Sequence, residues 1–339
     1  MLASFLLSII FILFPWERRW ALVCNDDLFS SQGQSLLRRD FSFEKGVRMQ
    51  TEVIMIPYVI SEDVALLLGA WAPTRGFQVP SQIFFEGWRE EFVFFMQRMF
   101  PDVISVSEKE MTQGLSNLLE HIDLPVLSLD GVYVQADLSL ELARQINGEK
   151  KEVGIGHRPG TPLLLHQVRK IQESGVREVA LVDDVIFSGA LIERVHHLLD
   201  RLGIRVGVVC AGVGMGEGVR RLLSHGYDVR CVRKFESVID EVCERDFVPG
   251  VPQSGRAILG NDRVGAPYLL PFGDPIGWAS IPPEHAKFFS AFCFARAIVL
   301  FEEIEHLSGQ PVRCCDLSRF PIGLPQDNTR FVDSLRFLR

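Results

Sequence analysis

The sequence predicts an α/β fold: a parallel-sheet core with helices on both faces, followed by a Pro/Gly-rich C-terminal extension. Three observations predict it. Strand-like and helix-like segments alternate regularly from Glu152 to Val232, which forces parallel pairing with right-handed crossovers. The continuous apolar run Val179-Ala180-Leu181-Val182 suits a central strand covered on both faces. After Phe235, prolines and glycines crowd the chain through Pro283.

Taken in order, residues Leu2 to Phe14 are almost wholly apolar. They lack a basic leading region, are short for a bilayer span and show no clear small-residue cleavage site. The preferred reading is a misplaced start, with translation from Met49. A membrane anchor before Arg18-Arg19 and a signal peptide are the alternatives. From Met49 the pattern is that of a folded domain. Val53 to Val59 reads as a strand, followed by the apolar segment Val64 to Trp71 and a loop at Pro73, Gly76 and Pro80. Residues 82 to 100 carry Phe84, Phe85, Trp88, Phe92, Phe95, Met96 and Met99, largely at helical spacing, an aromatic-rich stripe that reads as core. A helix from Gln113 to His121, a strand from Pro125 to Val134 and a helix from Leu138 to Ile146, stopped by Asn147-Gly148, come next.

The regular alternation then begins. A strand from Glu152 to Ile155 leads into Gly156-His157-Arg158-Pro159-Gly160, and a helix runs from Pro162 to Ser174. After the strand ending at Asp183-Asp184, a helix carries the stripe Leu191, Val195, Leu198, Leu199 and Leu202 and stops at Gly203. Arg205 to Cys210 is a strand, Glu217 to Ser224 a helix and Asp228 to Val232 a last strand. The Pro/Gly-rich stretch reads as a long structured loop, a lid over the sheet's edge, and Pro283 to Leu307 as a closing helix. The expected domains are an N-terminal extension or mis-assigned start (1 to 48), an α/β domain (49 to 235) and a loop-rich and helical C-terminal extension (236 to 339).

Composition narrows the function classes. An apolar fraction of 47% and a charged fraction of 23% are ordinary for a folded protein, and a net charge of −8 without a long basic run excludes a general nucleic-acid binder. Seven cysteines, at 24, 210, 231, 243, 293, 314 and 315, show no metal-ligand spacing and fit a reducing cytoplasm, so the expected location is cytoplasmic.

The chemistry concentrates at Asp183 to Leu191. Two adjacent aspartates at the carboxyl end of a buried parallel strand stand where ligands of such sheets gather. They can accept hydrogen bonds from vicinal hydroxyls or stand near a hydrated Mg²⁺. Ser188, Gly189 and Ala190 then open a helix whose free N–H groups and dipole attract a phosphate. The plainer alternative, that the acids only end a strand and Ser188 only caps a helix, leaves the full order of residues unexplained.

That order resembles the phosphoribosyl pyrophosphate (PRPP) motif of type I phosphoribosyltransferases: apolar strand, two acids, a β-branched residue, two variable positions, Ser or Thr, Gly and a small residue. The resemblance implies that Asp183 and Asp184 are the catalytic pair holding the ribose 2- and 3-hydroxyls. It assigns Val185 to Leu191, that is Val185, Ile186, Phe187, Ser188, Gly189, Ala190 and Leu191, to substrate binding, with Phe187 to Ala190 around the 5-phosphate. It also implies Mg²⁺, met by Asp183 and Asp184 only indirectly, through Mg-PRPP. Two residues depart from the pattern. Leu191 replaces a final phosphate-binding Thr, and Phe187 stands where some purine-specific members carry an acid.

The implied partner is PRPP or another nucleotide-like small molecule, with a homodimer left open and a membrane relevant only if residues 1 to 16 are retained. The implied function is transfer of phosphoribosyl between pyrophosphate and a base. A non-catalytic PRPP or nucleotide sensor of the same fold is the alternative, favoured by Leu191, Phe187 and a short interval before the acidic motif.

Other constellations are weaker. Arg158 and Gly160, in the loop after the 152 to 155 strand, offer a guanidinium and backbone N–H groups for pyrophosphate; Thr74-Arg75-Gly76 is a second candidate. The glycines from 212 to 218 fit no dinucleotide-binding frame and read as a flexible turn near the base or sugar. His196 and His197 read as solvated. Arg245, Asp246 and Arg256 read as surface ion pairs, with lining of a lid as the alternative.

Overall fold

The chain's first described strand, β1 (Tyr58–Ser61), is buried along its whole length. The computed structural model describes residues 56 to 338, which fall within one compact unit, Ile54–Arg339. The readings of residues 1 to 48, and of the start of the Val53 to Val59 strand, lie outside the described residues.

Helix α1 (Val64–Trp71) follows, then a 3-10 turn at Ala72–Arg75 and helix α2 (Gln82–Met96). The Ser81 hydroxyl caps α2 by accepting from the Phe84 N–H at 3.3 Å. Its aromatic stripe is core as expected, with Phe85, Trp88, Phe92 and Phe95 buried. Strand β2 (Val103–Val106) pairs with β1, and Ser107 caps helix α3 (Glu108–Leu119). This helix starts earlier than its apolar positions alone indicate, because the cap sets the boundary.

Next come β3 (Val126–Ser128), β4 (Leu138–Ser139), β5 (Leu142–Ile146) and β6 (Glu152–His157). The expected helix from Leu138 to Ile146 is therefore two strands. Leu138, Leu140, Leu142 and Ile146 are spaced in twos, and three of them are fully or nearly fully buried. That period-two signal outweighs the helix propensity of Glu-Leu-Ala-Arg-Gln. The expected Pro125 to Val134 strand shortens to three residues because Asp130-Gly131 turns the chain, with Gly131 at φ 72°.

Helix α4 (Leu164–Glu173), β7 (Glu178–Ile186), α5 (Ala190–Arg201), β8 (Arg205–Met215), α6 (Gly216–Ser224) and β9 (Val229–Phe235) complete the alternation. β8 runs well past its expected end, so the glycine-rich run from 212 is strand and helix start, not a flexible turn. The glycines serve packing. A Cβ on Gly212 would stand 2.1 Å from Met111 Cε, and one on Gly214 would stand 2.5 Å from Cys231 Sγ.

The chain after Phe235 is more ordered than a loop. It forms β10 (Asp240–Cys243), a 3-10 turn at Glu244–Phe247, β11 (Arg256–Ile258), β12 (Asn261–Ala266), α7 (Pro275–Ala279), α8 (Ala286–Ser308), β13 (Phe320–Pro321) and α9 (Phe331–Leu338).

Among the described residues three sheets result. The central one has order β4-β3-β7-β8-β9 and is parallel throughout. Alternate residues of β7 face opposite ways. Val179 and Leu181 pack with Ile171 of α4, Ile192, Val195 and Leu199 of α5 and Leu222 of α6. Ala180 and Val182 pack with Met111 and Leu115 of α3 and with Val59 and Val106 of the neighbouring sheet. Helices thus cover both faces, as predicted. A parallel β10-β1-β2 sheet joins the segment after 235 to the start of the fold, and a mixed sheet, β13-β12-β11-β5-β6, joins it to the β5-β6 hairpin.

Leu181 is fully buried at the centre of the first packing layer. Leu181→Ala is expected to cost about 2–5 kcal/mol of unfolding free energy, measured by urea denaturation; a loss under about 1 kcal/mol would contradict a close-packed interior at this strand.

Candidate functional site

The carboxyl end of β7 makes the floor of the site. Asp183 is buried, and its Oδ1 accepts from the Asp184 N–H at 3.1 Å. Asp184 in turn accepts from the Val185 N–H at 2.8 Å. After Ile186 the chain bends through Phe187, Ser188 and Gly189 into α5. Gly189 sits at φ 76°, a left-handed conformation that favours glycine, and the Ser188 hydroxyl accepts from the Ala190 N–H at 3.4 Å. The first N–H groups of α5 have no partner within the helix and point toward the bend.

The bend is held by backbone. A Cβ on Gly218, in α6, would meet Phe187 O at 2.3 Å and Gly189 N at 3.0 Å, so the second helix abuts the bend with no room for a side chain.

Arg245, in the 3-10 turn after β10, faces the acid pair. Its Nη2 lies 3.2 Å from Asp184 Oδ2 and 2.9 Å from Asp130 Oδ2, and its Nη1 lies 2.8 Å from Asp63 Oδ2. The Arg245 backbone N–H also donates to Asp63 Oδ1 at 2.9 Å. Arg158, just past β6, binds the same Asp130 at 2.9 Å, Glu141 at 3.2 Å and Gln253 at 2.9 Å. Arg245, Asp63, Asp130 and Arg158 are all buried. Buried charges persist only when paired this closely.

Protonation follows from the imbalance of charge. Burial raises the Asp183 carboxyl well above the usual range, with the charges of Asp184 and Asp130 adding to it. Asp184 is also raised, by burial and then by Asp130, against the pull of Arg245. Burial acts the same way on Asp130, but Arg245 and Arg158 outweigh it and hold that carboxyl below its ordinary value. Glu241, on β10, is pushed up to about 8 by burial, although Ser61 donates to it at 2.7 Å.

These groups line one cleft of about 640 Å³. Its floor is Asp183 to Ile192, one wall carries Glu241, Cys243 and Arg245, and the roof holds Arg256, Tyr268, Trp278 and Arg319. Arg158 lines it as well. The structure thus brings Asp183, Asp184, every residue from Val185 to Leu191, and Arg158 to one cavity. Gly160 does not line it; it turns the chain after β6 at φ 84°. Thr74, Arg75 and Gly76 also lie outside it, at the end of α1. Arg245, Asp246 and Arg256 are cleft residues and not surface ion pairs, because β10 and β11 carry them inward. Sequence reasoning missed Asp63, Asp130 and Glu241. For Asp130 a signal existed, an acid followed by glycine directly after an apolar run.

No three-residue His/Cys/Asp/Glu group among the described residues could hold a metal ion. No helix among the described residues is long and apolar enough to cross a membrane.

No protein-family model matches the chain, and no curated protein matches it. Some solved structures are similar to part of it. These neighbours are type I phosphoribosyltransferases. Adenine phosphoribosyltransferase from Thermoanaerobacter pseudethanolicus is 15% identical over 37% of this chain and 78% of its own, with a TM-score of 0.26. Orotate phosphoribosyltransferase from Mycobacterium tuberculosis, solved with PRPP, is 16% identical over 37% of this chain and 70% of its own, with a TM-score of 0.24. UMP synthase from Leishmania donovani is 12% identical over 38% of this chain and only 27% of its own length, with a TM-score of 0.25.

Two outcomes test the site's construction. Gly218→Ala, which pushes a methyl into the bend's backbone, is expected to destabilise the fold by about 1–3 kcal/mol, read by thermal unfolding. The folded Glu241 carboxyl titrates near 8, against an ordinary value of 4.5. Stability it contributes is therefore complete below 4.5 and lost as pH rises through 8. Glu241→Gln should match the parent protein at pH 4 and become progressively more stable than it between pH 5 and 8; parallel stability curves would show an ordinary carboxyl.

Proposed function

We propose that the cleft binds PRPP or a related ribose 5-phosphate ester and transfers its phosphoribosyl group between pyrophosphate and a nitrogenous acceptor. One observation carries this reading: an acid pair and a helix-opening Ser-Gly bend, contiguous in sequence, line the same cavity as Arg158 and Arg245. In this reading the N-terminus of α5 and the Ser188 hydroxyl take the 5-phosphate. Asp183 and Asp184 take the ribose hydroxyls.

The diphosphate then lies toward the turn after β3, where Arg158 and Arg245 already converge on Asp130. Guanidinium groups suit its oxygens. The β5-β6 hairpin and α4 stand between that turn and the acid pair in the chain, an interval longer than the one from Arg158 to the acid pair, which holds α4 alone. Mg²⁺ bound to the diphosphate would help neutralise the leaving group, with water between the ion and the two aspartates.

In the transfer, the bond from the ribose anomeric carbon to the diphosphate oxygen breaks, the electron pair leaves with pyrophosphate, and the acceptor nitrogen forms the new bond. Positive charge develops on the ribose, and ionised Asp183 and Asp184 stabilise it. Because burial favours their protonated forms, ligand and cation must draw the protons off.

Calorimetric titration with PRPP and Mg²⁺, followed by a pyrophosphate-release assay over a panel of acceptors, tests the reading. The expected result is binding that Asp184→Asn weakens by at least roughly tenfold, about 1.4 kcal/mol, together with acceptor-dependent release. Unchanged affinity in the variant removes the assignment of the acid pair. Binding without release on any acceptor leaves a sensor of the same ligand, the reading favoured by Leu191, which offers no hydroxyl to the phosphate.

A further inference from the structure

An acceptor nitrogen that carries a hydrogen must lose it on bonding to the ribose, and the floor of the cleft from Val185 to Leu191 has no carboxylate, imidazole or amine to take it. No histidine lines the cleft among the described residues. Most of its other acids are already engaged. Asp240 uses both oxygens, accepting from the Ser280 hydroxyl at 2.8 Å and from the Glu241 N–H at 2.9 Å. Glu152 pairs with Arg256 at 2.9 Å. Asp246 accepts from the Gly255 N–H at 2.8 Å, among the charges of Arg245, Arg256 and Arg319. The Cys243 thiol donates to Asp184 at 3.5 Å, and burial holds it protonated.

Glu241 is different. Its Oε1 accepts from the Ser61 hydroxyl at 2.7 Å, which fixes the carboxyl's direction, while its Oε2 takes no hydrogen bond among the described residues. That second oxygen is open to the cleft, which the side chain lines. Its place along β10 also suits the task. Glu241 and Cys243 are two residues apart and share a face of the strand, with Cys243 against Asp184 and Arg245 following in the next turn. The chain therefore passes the ribose acid with a free carboxyl oxygen before it and a guanidinium after it. A diphosphate held toward Arg245 and a nitrogen arriving from the side of Glu241 are opposed across the ribose, as a displacement in line requires.

We infer that Glu241 is the base of the transfer: its open oxygen receives the ring N–H of the acceptor and takes that proton as the new bond forms. This rests on the phosphoribosyl-transfer reading and adds a catalytic residue to it. The nitrogen's lone pair bonds to the anomeric carbon, the pair of the broken C–O bond leaves on pyrophosphate, and the N–H bonding pair stays in the ring. The proton then passes from Glu241 to water in the cleft. Burial, with the charges of Asp184 and Asp240, makes this carboxylate more basic than usual, against the Ser61 hydrogen bond and the charge of Arg245. Tyr58 and Cys243 also face it, and burial keeps both neutral. A base that titrates near the working pH competes for a ring proton far better than an ordinary carboxylate does.

The test is the pH dependence of pyrophosphate release with PRPP, Mg²⁺ and adenine, uracil or benzimidazole as acceptor. In the parent protein kcat/KM should rise about tenfold per pH unit and level off above about 8. Glu241→Gln, whose amide oxygen can still accept from Ser61, should lower kcat roughly 10²- to 10⁴-fold and abolish the rise. Its PRPP affinity should stay within about twofold of the parent. A variant that keeps the parent's pH profile or rate overturns the inference. So does a joint fall in PRPP affinity, since Glu241 would then hold the ribose or the diphosphate. Thermal unfolding at pH 7 is recorded first, and the variant should be no less stable than the parent.

If the parent protein binds PRPP but releases no pyrophosphate, or does not bind it, the transfer reading falls separately, and binding alone settles what Glu241 does. Benzimidazole should bind the parent about tenfold more tightly at pH 9 than at pH 7, as the carboxyl ionises and accepts its N–H. Neither 1-methylbenzimidazole on the parent nor benzimidazole on Glu241→Gln should show that gain. Equal affinity of benzimidazole for the parent at the two pH values, or no binding at either, overturns the assignment of Glu241 as the cleft's N–H acceptor.

Discussion

The guanidinium of Arg245 is the constraint on which the site depends. It gathers Asp63, from the turn after β1, Asp130, from the turn after β3, and Asp184, from the end of β7, around one buried cation. Arg158 shares Asp130 and neutralises part of the remainder. Four carboxyls, counting Asp183, and two guanidiniums still leave the cluster acidic, which is why burial and mutual repulsion raise Asp183 and Asp184. A buried cluster of this kind contributes little net stability compared with apolar packing. Its effect is positional: three strand ends from distant parts of the chain are held at one point.

The segment after Phe235 is what makes that arrangement possible. β10 pairs with β1 and delivers Glu241, Cys243 and Arg245 to the cleft, while β11 pairs with β5 and delivers Arg256. The central parallel sheet supplies the floor but none of the roof. Division of labour of this sort is common in open α/β sheets, where the site forms outside the strands' carboxyl ends from whatever the connecting chain places there.

Much of this was legible in the sequence, for a physical reason. β7, α5, β8 and α6 are read correctly in kind because each has a single strong signal: a continuous apolar run, a helical stripe, or a glycine stop at 203. The acid pair and bend are contiguous, so their proximity needs no tertiary information. The failures have causes too. Leu138 to Ile146 contains good helix formers, and only its alternate spacing betrayed two strands. The glycines at 212 and 214 resemble a turn until Met111 and Cys231 are seen pressing on them. Arg245 and Arg256 could not be placed from sequence, because whether an arginine faces solvent or a buried acid is decided by strands more than 100 residues away, as the pairing of Arg245 with Asp63 and Asp130 shows.

The contact of Gly218 with the Phe187 carbonyl has a consequence for how such a cleft can diversify. Main chain meets main chain there, so the curve that would receive an anion has no adjustable part and must be inherited whole. Phe187 is 43% exposed and Leu191 is partly so, and both side chains line the cavity without shaping the curve. Novelty in what this pocket accepts is thereby channelled to those two positions and to the overhanging strands, leaving the anchor beneath them untouched.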